Sequence, residues 1–174
     1  MRELFDEGRL RVGDVRVLQV AVPSREAIAS YRGLRSRIAD DVNRINRAHP
    51  GAVRYVDHAI GRDELIAHFL AADIMAVTPL HDGMNLVAKE YVAARADLSG
   101  ALVLSEFAGA ADELGDAYLV NPYDRSALKA ALCHAVEAPA AERAARMGSM
   151  RAYLRHRDVS SWARTFLAAL DDAR

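Results

Sequence analysis

The sequence predicts an α/β fold built on a doubly wound parallel sheet, and two observations carry that expectation. Short, mostly apolar runs alternate along the chain with longer stretches whose apolar residues recur at helical spacing. The connections are short and rich in Pro, Gly, Asn and Asp, which gives the β-α-β-α order of a sheet with crossover helices. No repeat, low-complexity tract or internal linker interrupts the 174 residues. The 174 residues read as one domain of ordinary size, or a large part of one, over residues 1–174, with a sheet core over about 12–137 and terminal helices over 138–174.

Taken in order, Val15 to Val22 is an apolar run ending at Pro23, a strand. Arg25 to Arg47 carries Ile28, Tyr31, Leu34, Ile38, Val42 and Ile45 at helical spacing and stops before His49-Pro50-Gly51. Val53 to Val56 is a second strand, and Asp63 to Ala72 a helix with Leu65, Ile66, Phe69 and Leu70 expected to face inward. Ile74 to Val77 is a third strand, apolar throughout as buried parallel strands tend to be. A helix follows from Asn85 to Arg95, then a fourth strand from Ala101 to Leu104 and a short helix from Gly109 to Leu114. Ala117 to Val120 is a fifth strand, and Asp124 caps a helix reaching Val136. Two further helices are predicted at Ala140 to His156 and Val159 to Ala173.

Composition narrows the function. A net charge of −1 gives no electrostatic basis for binding nucleic acid or an anionic membrane. No window approaches the roughly 18 apolar residues of a membrane span. The start, Met1-Arg2-Glu3-Leu4-Phe5-Asp6-Glu7, has acids and no signal core, so the expected compartment is the cytoplasm. The single cysteine, Cys133, falls on the apolar face of a helix and reads as a buried structural thiol. His49, His58, His68, His81, His134 and His156 show no metal-ligand spacing, and neither a metal nor a cofactor is expected. Glu142, Arg143, Arg146, Arg151, Arg155 and Arg157 read as a solvated helix face.

The stretch from Thr78 to Glu90 carries the chemistry. A strand ends in a turn containing Pro79, Asp82 and Gly83, and a helix opens near Asn85. Such a junction leaves backbone N–H groups free at a helix N-terminus, where anions are stabilised by unpaired donors and the helix dipole. Gly83 has no side chain to keep a ligand from the backbone, and Asp82 and Glu90 place carboxylates at the mouth and first turns of the helix. N–H donors beside carboxylate acceptors suit a nucleotide-sugar, with its pyrophosphate and its hydroxyls. On the residues alone, the plainer alternative is that Asp82 caps the turn and Glu90 is a solvated helix residue. A glycosidase acid/base pair is a third reading, but no second sugar-facing carboxylate stands in a matching loop.

The segment Asp82-Gly83-Met84-Asn85-Leu86-Val87-Ala88-Lys89-Glu90-Tyr91-Val92-Ala93 resembles the signature of the trehalose-6-phosphate synthase family. Three blocks agree in order and spacing: Val20 to Arg25, Leu102 to Ala111, and Val120 to Asp124. The resemblance runs from about residue 12 to the C-terminus. It implies a Rossmann-like fold, the C-terminal half of a GT-B glycosyltransferase. The implied reaction is glucosyl transfer from UDP-glucose to glucose 6-phosphate with retention, with no protein nucleophile or metal. In that family the leaving phosphate assists the acceptor hydroxyl while the protein positions reactants and stabilises charge.

By resemblance, Glu90 accepts hydrogen bonds from the ribose hydroxyls and Asp82, the candidate catalytic residue, holds the glucose ring. The backbone of Leu86 and Val87 faces the diphosphate, with Ala88 and Lys89 completing the segment, and the main chain of Ile60 lies near the uracil. Arg25 contacts the phosphate of glucose 6-phosphate, a task suited to a planar guanidinium that meets two oxygens at once. From the residues alone Arg25 is a surface arginine at a helix start. His81 departs from the family pattern, where a basic residue is usual, and this weakens phosphate attraction at pH 7.

The resemblance also implies parts that this sequence does not contain. These are an N-terminal domain holding most of the acceptor site, an Arg and a Lys that neutralise the UDP phosphates, and a first strand central in the sheet. That strand would lie between the runs at Val15 to Val22 and Ile74 to Val77. The expected partners are therefore UDP-glucose, glucose 6-phosphate, and the N-terminal domain or another copy of the chain. A second reading is a non-catalytic UDP-sugar-binding or regulatory fragment. A glycogen- or sucrose-type synthase is a third, and the full run from Asp82 to Glu90 argues against it.

Overall fold

The computed structural model describes residues 1–22, 29–157 and 159–172. It divides into two compact units, Met1–Leu65 and Ile66–Arg174.

In the first unit, β1 (Val17–Val20) pairs in parallel with β2 (Val53–Val56), with Val17 opposite Val53. Helix α2 (Ala29–Ala48) packs on β2. The Asn46 amide completes the contact by donating to the Val53 carbonyl at 2.8 Å and accepting from its N–H at 3.0 Å. Along α2 the inward face is uneven. Ile38, Val42 and Ile45 are half-buried, whereas Tyr31 and Leu34 stay exposed. A short helix that periodicity did not predict, α1 (Arg2–Asp6), buries Leu4 and Phe5. Asp6 accepts from His49 at 2.8 Å, and this bond holds its carboxyl below the usual carboxylate range.

In the second unit, β3 (Ile74–Val77), β4 (Ala101–Ser105) and β5 (Tyr118–Val120) form a parallel sheet in that order. The α/β class and the parallel ladders are as the pattern predicts, with the strands divided between two sheets. Among the described strands, β1 and β3 each have one partner. Central β4 is buried at every position. Ala101 and Val103 join Tyr118, Val120 and Ala135 in a core covered by α5 (Arg125–Glu137), through Leu128, Ala131 and Leu132. By strand alternation Leu102 and Leu104 face the other way, where α4 (Leu86–Ala94) lies on β3 and β4. Asp124 caps α5 as expected, accepting from the N–H groups of Ser126 and Ala127.

Helix α3 (Arg62–Ala71) departs from its expected inward face: Phe69 is buried, but Ile66 and Leu70 are exposed. Over its ten residues α3 buries Phe69, and Ile66 and Leu70 beside it stay in solvent. The segment expected as a short helix is a single 3-10 turn, Gly109–Asp112. The charged face of α6 (Ala140–His156) is not simply solvated. Glu142 accepts from Tyr118 Oη at 3.1 Å and Arg146 Nε at 2.9 Å, and Arg151 donates to the carbonyls of Val92 and Ala93. Cys133 is buried, and α7 (Val159–Asp172) carries no buried residue. No described helix is long and apolar enough to cross a membrane.

Tyr91 couples this packing to pH. Its ring is fully buried, edge-on to Phe69, and its hydroxyl donates to the Ala72 carbonyl at 2.9 Å. Burial pushes the phenol from 10.0 up to about 12, with Arg95 pulling the opposite way. Below pH 10 both folded and unfolded states keep the proton, so the contribution is constant. Between about pH 10 and 12 only the unfolded state loses it, and stability should fall by about 2–3 kcal/mol. Urea midpoints from pH 9 to 12 should show that decline in the parent and a shallower one in Tyr91→Phe. Equal slopes would show that Tyr91 does not carry the effect.

Candidate functional site

The predicted site residues of the second unit come together at the carboxyl end of its sheet. After β3 the chain turns at His81-Asp82-Gly83, and this turn is stitched to the segment after β4. Asp82 N–H donates to Phe107 O at 3.1 Å, Gly109 N–H to Asp82 O at 3.0 Å, and Ala110 N–H to Met84 O at 2.6 Å. Asp82 and Ala108 make an isolated parallel bridge, so the two sheet neighbours stay paired past the end of their ladder. Gly109 makes this possible, because a Cβ there would overlap the Gly83 carbonyl oxygen. At Gly83 an added Cβ would meet no atom within 4 Å. Packing therefore demands glycine at position 109 and does not demand it at 83.

Within the turn, both oxygens of Asp82 are engaged. Oδ1 accepts from Met84 N–H at 3.2 Å and Oδ2 from Asn85 Nδ2 at 3.0 Å. Asn85 caps α4, its Oδ1 accepting from Ala88 N–H at 2.9 Å. The residue has φ 77, a region that Asn enters more readily than most residues. In the first turn of α4, the N–H groups of Leu86 and Val87 have no partner among the described residues. Their side chains are 60% and 43% exposed, so solvent reaches this end of the helix. Leu80 and Met84 are exposed beside them, as is His81. Phe107 and Tyr123, at the ends of β4 and β5, lie with ring centroids 5.9 Å apart, both exposed.

The other predicted residues divide. Glu90 is exposed on α4 and has no partner among the described residues. Ala88 is fully buried, so only its backbone can belong to a site. Lys89 turns away from the helix N-terminus and pairs with Glu113 at 2.6 Å, tying α4 to the segment after the 3-10 turn. Ile60 is half-buried in the first unit between β2 and α3. Arg25 lies outside the described residues. Sequence reasoning passed over Asn85, Gly109 and Glu113 as contributors. The N-cap position of Asn85, three residues before Ala88, is the one signal that could have raised it.

The arrangement offers two free N–H donors at a helix N-terminus, an unpaired carboxylate one turn along, and a second carboxylate already oriented at the mouth. An anion flanked by hydroxyl groups matches it. Among the described residues no group of three or more His, Cys, Asp or Glu could hold a metal ion.

Glycosyltransferase family 20 matches residues 1–172. The trehalose-6-phosphate synthase of Mycobacterium leprae is 52% identical over 176 residues, covering 98% of this chain and 35% of that protein. A solved trehalose-6-phosphate synthase structure from E. coli, bound with UDP-2-fluoro glucose, superposes with a TM-score of 0.92 at 38% identity. It covers 97% of this chain and 39% of that one. The Burkholderia xenovorans alpha,alpha-trehalose-phosphate synthase (UDP-forming), in complex with glucose-6-phosphate, gives a TM-score of 0.92 at 39% identity over 98% of this chain and 38% of that one. The chain thus spans little more than a third of the length of these relatives.

Proposed function

This chain belongs to glycosyltransferase family 20, and from that membership we propose that it is the nucleotide-sugar part of a trehalose-6-phosphate synthase. The reaction is glucosyl transfer from UDP-glucose to glucose 6-phosphate. The observation that carries this reading is the head of α4, where the turn is locked by backbone bonds while the Leu86 and Val87 N–H groups and the Glu90 carboxylate remain available. The two N–H groups receive the diphosphate, Glu90 the ribose hydroxyls, and Asp82 the glucose ring. Ala88 and Lys89 contribute through the backbone, since one side chain is buried and the other paired. In the first unit, the Ile60 main chain is assigned to the uracil and Arg25 to the phosphate of glucose 6-phosphate. A lone buried cysteine suits a reducing compartment, so the proposed setting is the cytoplasm.

A second reading, a UDP-sugar-binding or regulatory fragment without catalysis of its own, draws on the same head of α4, whose available groups suit the binding of one ligand. Both readings predict binding at the same place. UDP titrated into isotopically labelled protein should shift the amide resonances of Leu86 to Glu90 before others. Glu90→Ala should weaken binding by about tenfold or more, since a hydrogen bond to a charged group contributes about 1.5–3 kcal/mol. Equal affinity in Glu90→Ala, or shifts confined to other elements, would overturn the site.

A further inference from the structure

We propose that Asn85 is a positioning residue that aims Asp82 and completes the head of α4 with one side-chain amide. This deepens the donor-site reading and rests on it. The Asn85 Nδ2 donates to Asp82 Oδ2 at 3.0 Å while its Oδ1 accepts from Ala88 N–H at 2.9 Å. Capping a helix requires only the acceptor, and Ser, Asp or Asn serve about equally well. The donor half is therefore surplus to capping, and it is spent on the carboxylate assigned to the sugar.

Backbone conformation narrows the choice independently. At φ 77 and ψ 91, Gly, Asn and Asp are the residues that fit with least strain. Gly would lose both bonds. Asp would keep the cap but set a second acceptor against Asp82. Only Asn satisfies the backbone, the cap and the carboxylate together. Met84 N–H holds the other oxygen at 3.2 Å, so Asp82 has its orientation before any sugar arrives. The remaining charged neighbours do not compete for it: Lys89 is paired with Glu113 at 2.6 Å, and His81 is exposed. Groups fixed in advance lose less freedom when the ligand binds, which is how orientation becomes affinity and rate.

The test compares the full chain with Asn85→Gly and Asn85→Asp. Without ligand, the Ala88 amide resonance is followed from pH 4 to 8. In Asn85→Asp the introduced carboxyl faces Asp82, keeps its proton to a higher pH than an isolated aspartic acid, and should add a titration step that the parent lacks. With ligand, the affinity ratio of UDP-glucose to UDP is measured. Asn85→Gly should lower the parent's preference for the sugar nucleotide about tenfold. Asn85→Asp should lack that preference at pH 8 and regain it as pH falls through the added step. A residue that merely caps predicts for Asn85→Asp a step no higher than that of an isolated aspartic acid, and a sugar preference that does not change across it. The proposal is overturned if the added step lies no higher than that of an isolated aspartic acid, or if Asn85→Gly keeps the full preference. If the parent itself binds UDP-glucose no better than UDP, the sugar role of Asp82 fails, and Asn85 is judged on the ligand-free step alone.

Discussion

Purified residues 1–174, supplied with UDP-glucose and glucose 6-phosphate, are expected to form no measurable trehalose 6-phosphate. Among the described residues of the second unit, the groups available at the proposed site are two N–H donors and two carboxylates around one helix terminus, which suit a donor better than a phosphorylated acceptor. A phosphorylated acceptor needs cations, and the cation nearest this terminus along α4, Lys89, is paired with Glu113. Holding two reactants in register accounts for about 7–11 kcal/mol of barrier lowering, or some five to eight orders of magnitude in rate. A chain that binds the donor but leaves the acceptor to Arg25 alone is expected to forgo most of that. Product is followed by mass spectrometry and UDP release by a coupled assay. Turnover that disappears in Arg25→Ala would overturn the prediction, because it would place a working acceptor site within these residues.

Much of the fold was legible because apolar periodicity is a physical consequence of burial. Ile74–Val77 stands where its apolar run stands, and Val53–Val56 and Ala140–His156 match their predicted bounds. Legibility ended where an element owes its position to something other than its own pattern. Helix α1 is too short to show a period and is defined by Leu4, Phe5 and the Asp6–His49 bond, a contact across more than forty residues of chain. The apolar residues Ile66 and Leu70 follow a helical period yet remain exposed, because period specifies a face and not what covers it. Arg146 and Arg151 read as solvated charges, although one guanidinium lies 4.5 Å over the Tyr118 ring and the other donates to the carbonyls of Val92 and Ala93.

The site divides in the same way. That a turn and a helix N-terminus follow β3 could be read from Pro79, Asp82, Gly83 and Asn85 in line. What the turn rests on could not be read, since its support is the backbone of Phe107 to Ala110 and the absence of a side chain at Gly109. Backbone hydrogen bonds carry no residue code. Lys89 shows the converse: the signature places it in the donor-binding segment and says nothing of its ammonium, which fastens α4 to Glu113.

Arg95→Ala is expected to destabilise the chain by about 3–5 kcal/mol, the range for truncating a large buried side chain that also serves several backbone carbonyls. Arg95 sits just past the last turn of α4 and is 3% exposed. Its Nη1 reaches the carbonyls of Phe69, Leu70 and Ala72, and its Nη2 reaches Ser99 Oγ and, at 3.1 Å, Asp97. The last carbonyls of a helix have no partner within it, so one planar guanidinium finishes α3 and fastens it to the turn before β4. Truncation leaves several buried acceptors unsatisfied and opens a cavity, and each loss is of kilocalorie size. Arg95→Met separates the two causes by filling the space without donating, and it should recover only the packing share. Arg95→Lys keeps the charge but cannot fork across both sets of acceptors, so it should fall between them. Urea midpoints at constant m-value measure all three. Against a total stability of roughly 5–15 kcal/mol, a loss below about 1 kcal/mol in Arg95→Ala would mean that water replaces the guanidinium and that the end of α3 holds without it.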